Sequence, residues 1–487
     1  MFSIEQQIVF EKYLNKENIF MTGPGGCGKS HLLKSIYEDA KSKNKIIHIT
    51  ALTGCASVLL HPKAKTIHSW SGIGIGKLPL KVILNKILKD KRLNSNWKKT
   101  ELLIIDEISM MSKNIFELLD IIGKKIRDND EELFGGIQII LSGDFYQLPP
   151  IQIQEEQQQQ QCQVQFCFES LLFQEHFNKS KNNIIQLKTI FRQNDLTFKK
   201  ILNEIREGKI RKSTQKKLLE QINKQKPEYF NPTKLYPNRV QVDNINNSKL
   251  EELEGKIYNF EYIYHNNIKL LENMNEIMSM SELCEERKEI ETKQIEELKQ
   301  LIEKKQIIIQ TKARKAIKSS KIKYSQEQID YEYKLLENSI IVPKRLNLKI
   351  GAQVMYIINS MLEDNLLLCN GAQGIIIDFD SLTNCPIVRF NNGITKTIKY
   401  HTWISDNIPQ LSISQIPLVL CWALTIHKSQ GMSLDYAEID VGSSIFECGQ
   451  TYVALSRVKS LEGLYLTSFD INKIKINKKV KDFYNSF

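Results

Sequence analysis

The stretch GPGGCGKS at 23–30 constrains this chain more than any other. It follows the apolar run NIFM and precedes HLLKSIYEDAKSK, whose apolar residues recur with helical spacing. Gly25, Gly26 and Gly28 place no side chain between the backbone N–H groups and an approaching anion, and the helix that follows adds its own unpaired N–H groups and dipole. Lys29 then reaches β and γ phosphates, and Ser30 offers a hydroxyl to Mg²⁺. The match to G-x-x-x-x-G-K-[ST] stands where that mechanism needs it, between a buried strand and a helix. Gly23, Pro24, Gly25, Gly26, Cys27, Gly28, Lys29, Ser30 and His31 are therefore the expected nucleotide-binding run.

A loop of this kind implies a parallel sheet, and the neighbouring sequence supplies one. IIHI before Thr50, LLII before Asp106 and IQIIL before Ser142 are short apolar runs that end in a polar break, as parallel strands buried on both faces do. Residues 31–43 and 111–127 between them carry helical periodicity, so residues 1–185 read as a doubly wound α/β domain with ligands at the carboxyl ends of its strands. A second α/β set comes in pieces, 186–260 and 415–487: LTFKKILNEIREGK and TKLY, then LVLCWALT at 418–425, AEIDV and LYLT. Alternating runs with glycine or asparagine turns predict a small β-barrel over 345–414. Between them, 261–344 reads as a charged helical insertion: 272–303 holds ten acidic and four basic residues, and 304–323 holds eight basic and none acidic. Nine of the fourteen residues at 152–165 are glutamine, which predicts a surface loop extension.

Composition narrows the class. A chain of 487 residues with 41% hydrophobic residues fills several cores. Its net charge of +11 favours an anionic partner such as nucleic acid. Nine scattered cysteines without a C-x-x-C pair point to a reducing compartment and away from a zinc site. No apolar stretch reaches the roughly 18 residues of a membrane span, and the first residues carry no secretory h-region. An intracellular protein is expected, the nucleus favoured over the mitochondrion, with no targeting peptide visible.

LLIIDEIS adds a second half to the nucleotide site. Asp106 ends a buried strand where a carboxylate holds Mg²⁺, and Glu107 beside it accepts a proton from the attacking water. IQIILSGDFYQLPP puts Asp144 and Gln147 past another strand on the same edge, where a neutral amide bonds γ-phosphate or water; a loop glutamine without that task is the alternative. Arg192 in TIFRQND and Arg457 in VALSRVK lie in the second set. Each is either a guanidinium that neutralises charge on a transferred phosphoryl or a surface ion pair.

The ordered set FSIEQ, GPGGCGKS, TALTGCAS, TIHSWSGIG, LLIIDEISMM, LSGDFYQLPP, FRQND, LNLKIGAQVM, NGAQG, LTIHKSQGMSL and GQTYVALSRV resembles the PIF (petite integration frequency) and RecD-like DNA helicases of superfamily 1. The likeness spans nearly the whole chain. It implies two RecA-like domains with a small, Src-homology-3-like barrel inserted in the second, and ATP with Mg²⁺ as cofactors. It implies movement 5′ to 3′ on single-stranded DNA, unwinding of duplex DNA, and roles in repair, recombination, replication or telomere maintenance. By the same resemblance Gln6 reads adenine, Gly431 joins the nucleotide site, Gln147 links γ-phosphate to the DNA track, and Arg192 and Arg457 face phosphate. Thr53, Gly54, His68, Ser69, Thr425, His427, Lys428 and Gln430 are expected along the single-strand channel. Trp70, Phe145 and Tyr146 join that list as flat faces for bases. Residues 72–99 lie where the family carries its strand-separating wedge, although a solvated basic helix fits that charge equally well. A monomer in solution is expected, with assembly on DNA as an option and no membrane partner. The alternatives are a superfamily-1 RNA helicase and a non-unwinding DNA-stimulated ATPase or binding protein. The Gln-rich loop and the charged insertion depart from the family pattern.

Overall fold

The computed structural model describes residues 2–486 apart from 62, 75, 77, 151–164, 178–181, 223, 227–231, 268–323, 359, 362–366, 369, 370, 392, 406 and 407. Nearly all of the glutamine tract and most of the charged insertion therefore lie outside the described residues.

Six parallel strands form the first sheet: β1 (Ile19–Thr22), β2 (Ile47–Ala51), β3 (Lys65–Thr66), β4 (Leu102–Asp106), β5 (Gln138–Gly143) and β6 (Ile184–Gln186), in the order β3-β2-β4-β5-β1-β6. The strands β1 and β4 are buried along their whole length. Alternate residues feed two cores, which is why they read as continuous apolar runs. Phe20, Leu103, Ile105, Ile139 and Leu141 face one core, with Trp70, Trp97, Phe116, Phe145 and Phe173. Ile19, Met21, Leu102, Ile104 and Ile140 face the other, with Val9, Tyr13, Leu32, Leu33 and Ile36.

Helices α1 (Ile4–Leu14) and α2 (Lys29–Ser42) cover the second of these faces. The first is started by Ser3, which forms a capping box with Gln6. The second starts on left-handed Gly28 with no side-chain cap, so its first amides are not taken by a side chain. Helices α3 (Leu80–Lys89), α4 (Lys91–Lys99) and α5 (Lys113–Arg127) pack on the opposite face through Ile83, Ile87, Leu93, Trp97 and Phe116. Register pairs Ala51 with Asp106 and Thr22 with Gly143, so the carboxyl ends of β2, β4, β5 and β1 share one edge.

A second parallel sheet contains β7 (Thr233–Tyr236), β13 (Ala423–Thr425), β14 (Ala437–Val441) and β15 (Leu464–Phe469), in the order β13-β7-β14-β15. Helix α6 (Leu196–Glu207) precedes it in sequence, and α7 (Gln450–Leu455) lies between its last two strands. The run at 418–425 does not form one strand of this sheet, as its apolar character suggests. It breaks at Cys421–Trp422: Ala423–Thr425 joins the parallel sheet, whereas β12 (Leu418–Leu420) pairs antiparallel with β8 (Gln353–Tyr356).

That pairing completes a five-stranded antiparallel sheet of β8, β9 (Gln373–Phe379), β10 (Pro386–Phe390), β11 (Thr395–Thr397) and β12, ordered β11-β10-β9-β8-β12, with a bulge between Ile376 and Asp378. Helix α8 (Lys478–Asn485) ends the described chain.

Contacts divide the molecule into two compact units. One comprises residues 1–258, 348–398 and 418–487; the other comprises 259–347 and 399–417. In the second, strands 401–404, 411–415 and 263–266 form an antiparallel sheet, and Ile329 of the helix Gln326–Ser339 packs on Ile408 and Leu411. Residues 399–414 therefore group with the charged insertion rather than with the small antiparallel sheet, since 411–415 hydrogen-bonds to 263–266. No described helix is long and apolar enough to cross a membrane.

Candidate nucleotide site

The loop after β1 closes tightly on its neighbours. Gly26 and Gly28 are left-handed, and a Cβ at Gly26 would lie 2.5 Å from Cβ of Arg192, one at Gly28 2.7 Å from Nε2 of Gln6. Glycine is thus required for both backbone reasons and space. The Lys29 ammonium donates to the carbonyls of Gly23 (2.7 Å) and Pro24 (3.1 Å), lying back across its own loop. A lysine lying across a glycine loop at an uncapped helix start is an arrangement that can hold phosphate.

Asp106 stands at the end of β4, and the Ser30 hydroxyl donates to its Oδ2 at 3.4 Å. A hydroxyl and a carboxylate converging in this way are the donor set a Mg²⁺ ion takes, with water in its other positions. Burial raises the pKa of Asp106, opposed by the bonds it receives and by Lys29. Glu107 adopts a left-handed backbone at φ 56°, which turns it away from the strand line. Burial and the adjacent Asp106 push its pKa up to about 7. The Gln430 amide donates to its Oε2 at 2.9 Å.

Gln147 is buried beside this edge; its backbone N–H donates to the Asp144 carbonyl at 2.8 Å, and its side-chain Oε1 has no hydrogen-bond partner among the described residues. An orphaned buried acceptor costs about 1–3 kcal/mol, which marks a place where a donor such as a water belongs.

The second sheet's elements reach the same loop. The Gly25 N–H donates to the Tyr452 hydroxyl at 2.8 Å. A Cβ at Gly25 would come within 3.3 Å of Ser456 Oγ and 3.5 Å of Arg457 Nη2. Arg457 is buried and pinned by donation to the Val453 carbonyl and the Ser456 hydroxyl, each at 2.8 Å. Burial and the nearby Arg192 push its pKa down to about 9, against the pull of Glu107. Arg192 donates to the Ser456 carbonyl at 2.9 Å, so the two cations are juxtaposed rather than paired on the surface. Two like charges held together in a buried site call for an anion between or beside them.

Gln6 lies against this loop, its Nε2 donating to the Cys27 carbonyl at 3.4 Å while its Oε1 accepts from Ser3 N. His31 is exposed on the first turn of α2, and Gly431 is exposed and left-handed. Phe191, which the sequence reading passed over although it sits in FRQND, is half exposed, and its ring lies 3.4 Å from where a Gly28 Cβ would be. A flat apolar ring beside the Gln6 amide suits a purine base.

The residues expected on the DNA side separate into two groups. Thr53, Gly54, His68, Ser69, His427 and Lys428 are partly accessible. Thr53 caps the helix Gly54–Leu60, and His68 Nδ1 bonds the Gly74 carbonyl at 2.8 Å. Trp70, Phe145 and Tyr146 are not base platforms. Trp70 is fully buried 4.7 Å from Trp97, Phe145 is packed among Phe20, Phe168 and Phe483, and Tyr146 is stacked on Tyr484. Burial of these large rings drives the core together, and nothing remains to stack a base. Thr425 is likewise buried, accepting from Lys428 N at 3.2 Å, and the Gln430 amide is turned to Glu107 rather than outward. Sequence reasoning also missed Tyr452, Arg206 and Tyr484. The first sits inside GQTYVALSRV; the other two belong to no motif.

Comparison with known proteins gives this geometry a lineage. The PIF1-like helicase model matches residues 1–216, and the model of the DNA helicase Pif1 2B domain matches 334–379. The ATP-dependent DNA helicase PIF1 of Xenopus laevis is 32% identical over 99% of this chain and 64% of its own length. The ATP-dependent DNA helicase RRM3 of Saccharomyces cerevisiae is 33% identical over 99% of this chain and 67% of its own. The chain thus spans about two thirds of the length of these relatives. The crystal structure of Pif1 helicase from Candida albicans superposes with a TM-score of 0.73 at 31% identity, covering 100% of this chain and 99% of that one. A P-loop bracketed by Asp106, Glu107, Gln147 and two arginines, in a chain alike to these relatives from end to end, makes this protein a member of the PIF1-like helicase family.

Proposed function

We propose that this chain is an ATP-driven DNA helicase that moves 5′ to 3′ along single-stranded DNA and separates duplex DNA, in repair, recombination, replication or telomere maintenance. The two parallel sheets are read as RecA-like domains, the first over 1–185 and the second over 186–260 with 415–487. The small antiparallel sheet is read as a Src-homology-3-like barrel. One observation carries the proposal: Tyr452 and Arg457, from the segment between the second sheet's last two strands, and Arg192, from the loop after β6, meet the P-loop and the Asp106–Glu107 pair of the first sheet.

In this reading, backbone N–H groups within 26–30 and Lys29 bind the phosphates, with Gln6 and Phe191 on the base. Ser30 and Asp106 hold Mg²⁺, which when bound neutralises charge on the β and γ phosphates. Glu107 accepts the proton of the attacking water, and Gln430 holds that carboxylate in place. Gln147 orients the water or the γ-phosphate, and Arg192 and Arg457 neutralise the charge that develops on the transferred group. Because the arginines come from the second domain, hydrolysis is tied to closure of one domain on the other, and cycles of closure move DNA held by Thr53, Gly54, His68, Ser69, His427 and Lys428. The purified chain is expected to be a monomer that hydrolyses ATP faster with single-stranded DNA. Lys29→Ala is expected to abolish that turnover, and DNA-stimulated hydrolysis surviving in this variant overturns the assignment.

A further inference from the structure

The last described helix places one hydroxyl at a junction that the nucleotide chemistry does not otherwise explain. Tyr484 Oη shares a hydrogen with Thr22 Oγ1 at 2.6 Å, accepts from the Phe145 N–H at 3.1 Å and lies 3.3 Å from Asp144 Oδ1. Thr22 is the final residue of β1, immediately before the P-loop, and Asp144 and Phe145 begin the loop that carries Gln147. The Asp144 carboxylate is fully buried and takes both Nε and Nη2 of Arg206, each at 2.9 Å. The Arg206 guanidinium lies 4.5 Å from the Tyr146 ring centre and 5.3 Å from that of Tyr484, and the two rings are stacked 4.6 Å apart, 11° from parallel.

Such a pair of buried charges adds little net stability over apolar packing, but it is geometrically exacting, because removing either partner strands the other. The helix that delivers Tyr484 is itself fastened: Phe483 stacks on Phe168 at 4.4 Å, and Lys479 bonds Glu169 at 2.5 Å.

We propose that Tyr484 is a positioning residue for ATP hydrolysis, its hydroxyl fixing the end of the P-loop strand against the Gln147 loop while Arg206 clamps that loop through Asp144. This rests on the ATPase reading above. The P-loop binds ATP with its own amides and lysine, so the junction governs where Gln147 stands relative to the γ-phosphate rather than how tightly nucleotide is held. Its loss belongs in turnover, since small misplacements of a positioned group cost rate steeply.

The test compares the wild-type chain, Tyr484→Phe, Arg206→Lys, the double variant and Lys479→Ala in steady-state ATP hydrolysis with saturating single-stranded DNA, with amide hydrogen exchange at Phe145 followed in each. Tyr484→Phe keeps the ring stack and deletes the hydroxyl. It is expected to lower kcat on the order of tenfold with KM for ATP nearly unchanged and to speed Phe145 exchange. The double variant should lose no more than the worse single one, because both hold the same loop at its adjacent residues Asp144 and Phe145. Lys479→Ala loosens the helix without touching the Tyr484 hydroxyl and should lower kcat much less than Tyr484→Phe does. Wild-type kcat in Tyr484→Phe, or an equal loss in Lys479→Ala, overturns the proposal, the latter by showing that the helix matters only for stability. A wild-type chain without ATPase activity overturns the underlying reading instead, a different outcome from an active wild type with an indifferent Tyr484.

Discussion

Gln147 is the residue at which local sequence and tertiary structure meet. Its sequence context separates it from the glutamine tract a few positions on, and its side-chain oxygen lies buried without a partner among the described residues. Replacing it with alanine is expected to leave ATP binding largely intact, to lower kcat for hydrolysis at least as far as Tyr484→Phe does, and to impair unwinding further still; a variant that hydrolyses ATP and unwinds normally makes Gln147 only a loop residue. Gly26, Gly28, Lys29, Asp106 and Glu107 were legible because their chemistry is local: a strand, a turn and a helix lie within a few residues of each other. Arg206 and Tyr484 were not, since the first meets Asp144 across 62 positions and the second across 340. Protonation gives a further residue-scale prediction. His48 is held neutral by burial and by Lys65 and Arg92, its pKa pushed down to about 4 from the usual 6.5. The unfolded chain therefore binds a proton first as pH falls. The stability due to neutral His48 is present above pH 6.5 and is lost as pH drops from there towards about 4. Urea unfolding between these limits should show a smaller pH slope for His48→Gln than for wild type. A residual slope is expected because His61, His68, His401 and His427 are shifted in the same direction. An unchanged slope contradicts the account.

At the level of elements, apolar period located strands and helices well but did not assign them to sheets. TKLY forms β7 as read, yet LVLCWALT divides between two sheets because both halves are buried and so look alike in sequence. Strand 411–415 pairs with 263–266, at the very start of the charged insertion, and no local pattern could announce that partner. Aromatic residues inside motifs were the other misreading: residue type does not say which face of the element it occupies. Trp70 shows the consequence. Its ring fills the core between the sheet and Trp97, so Trp70→Ala should cost about 3–5 kcal/mol of folding stability. Single-strand affinity measured on the folded protein should stay close to wild type. A stable variant with weakened DNA binding returns Trp70 to the channel.

For the whole molecule, the net charge of +11 suggested an anionic partner, but charge by itself sets steering and not mechanism. The P-loop, the carboxylate pair and the arginines make a stronger case together because they converge from two sheets on one loop. The most direct measurement of that case is unwinding, by the purified chain with ATP and Mg²⁺, of DNA and RNA duplexes bearing either a 5′ or a 3′ single-stranded tail. Separation of the 5′-tailed DNA duplex, with ATP required and Lys29→Ala inactive, is the predicted result. No ATP-dependent separation of any DNA duplex, or separation of the 3′-tailed or RNA substrates instead, contradicts it.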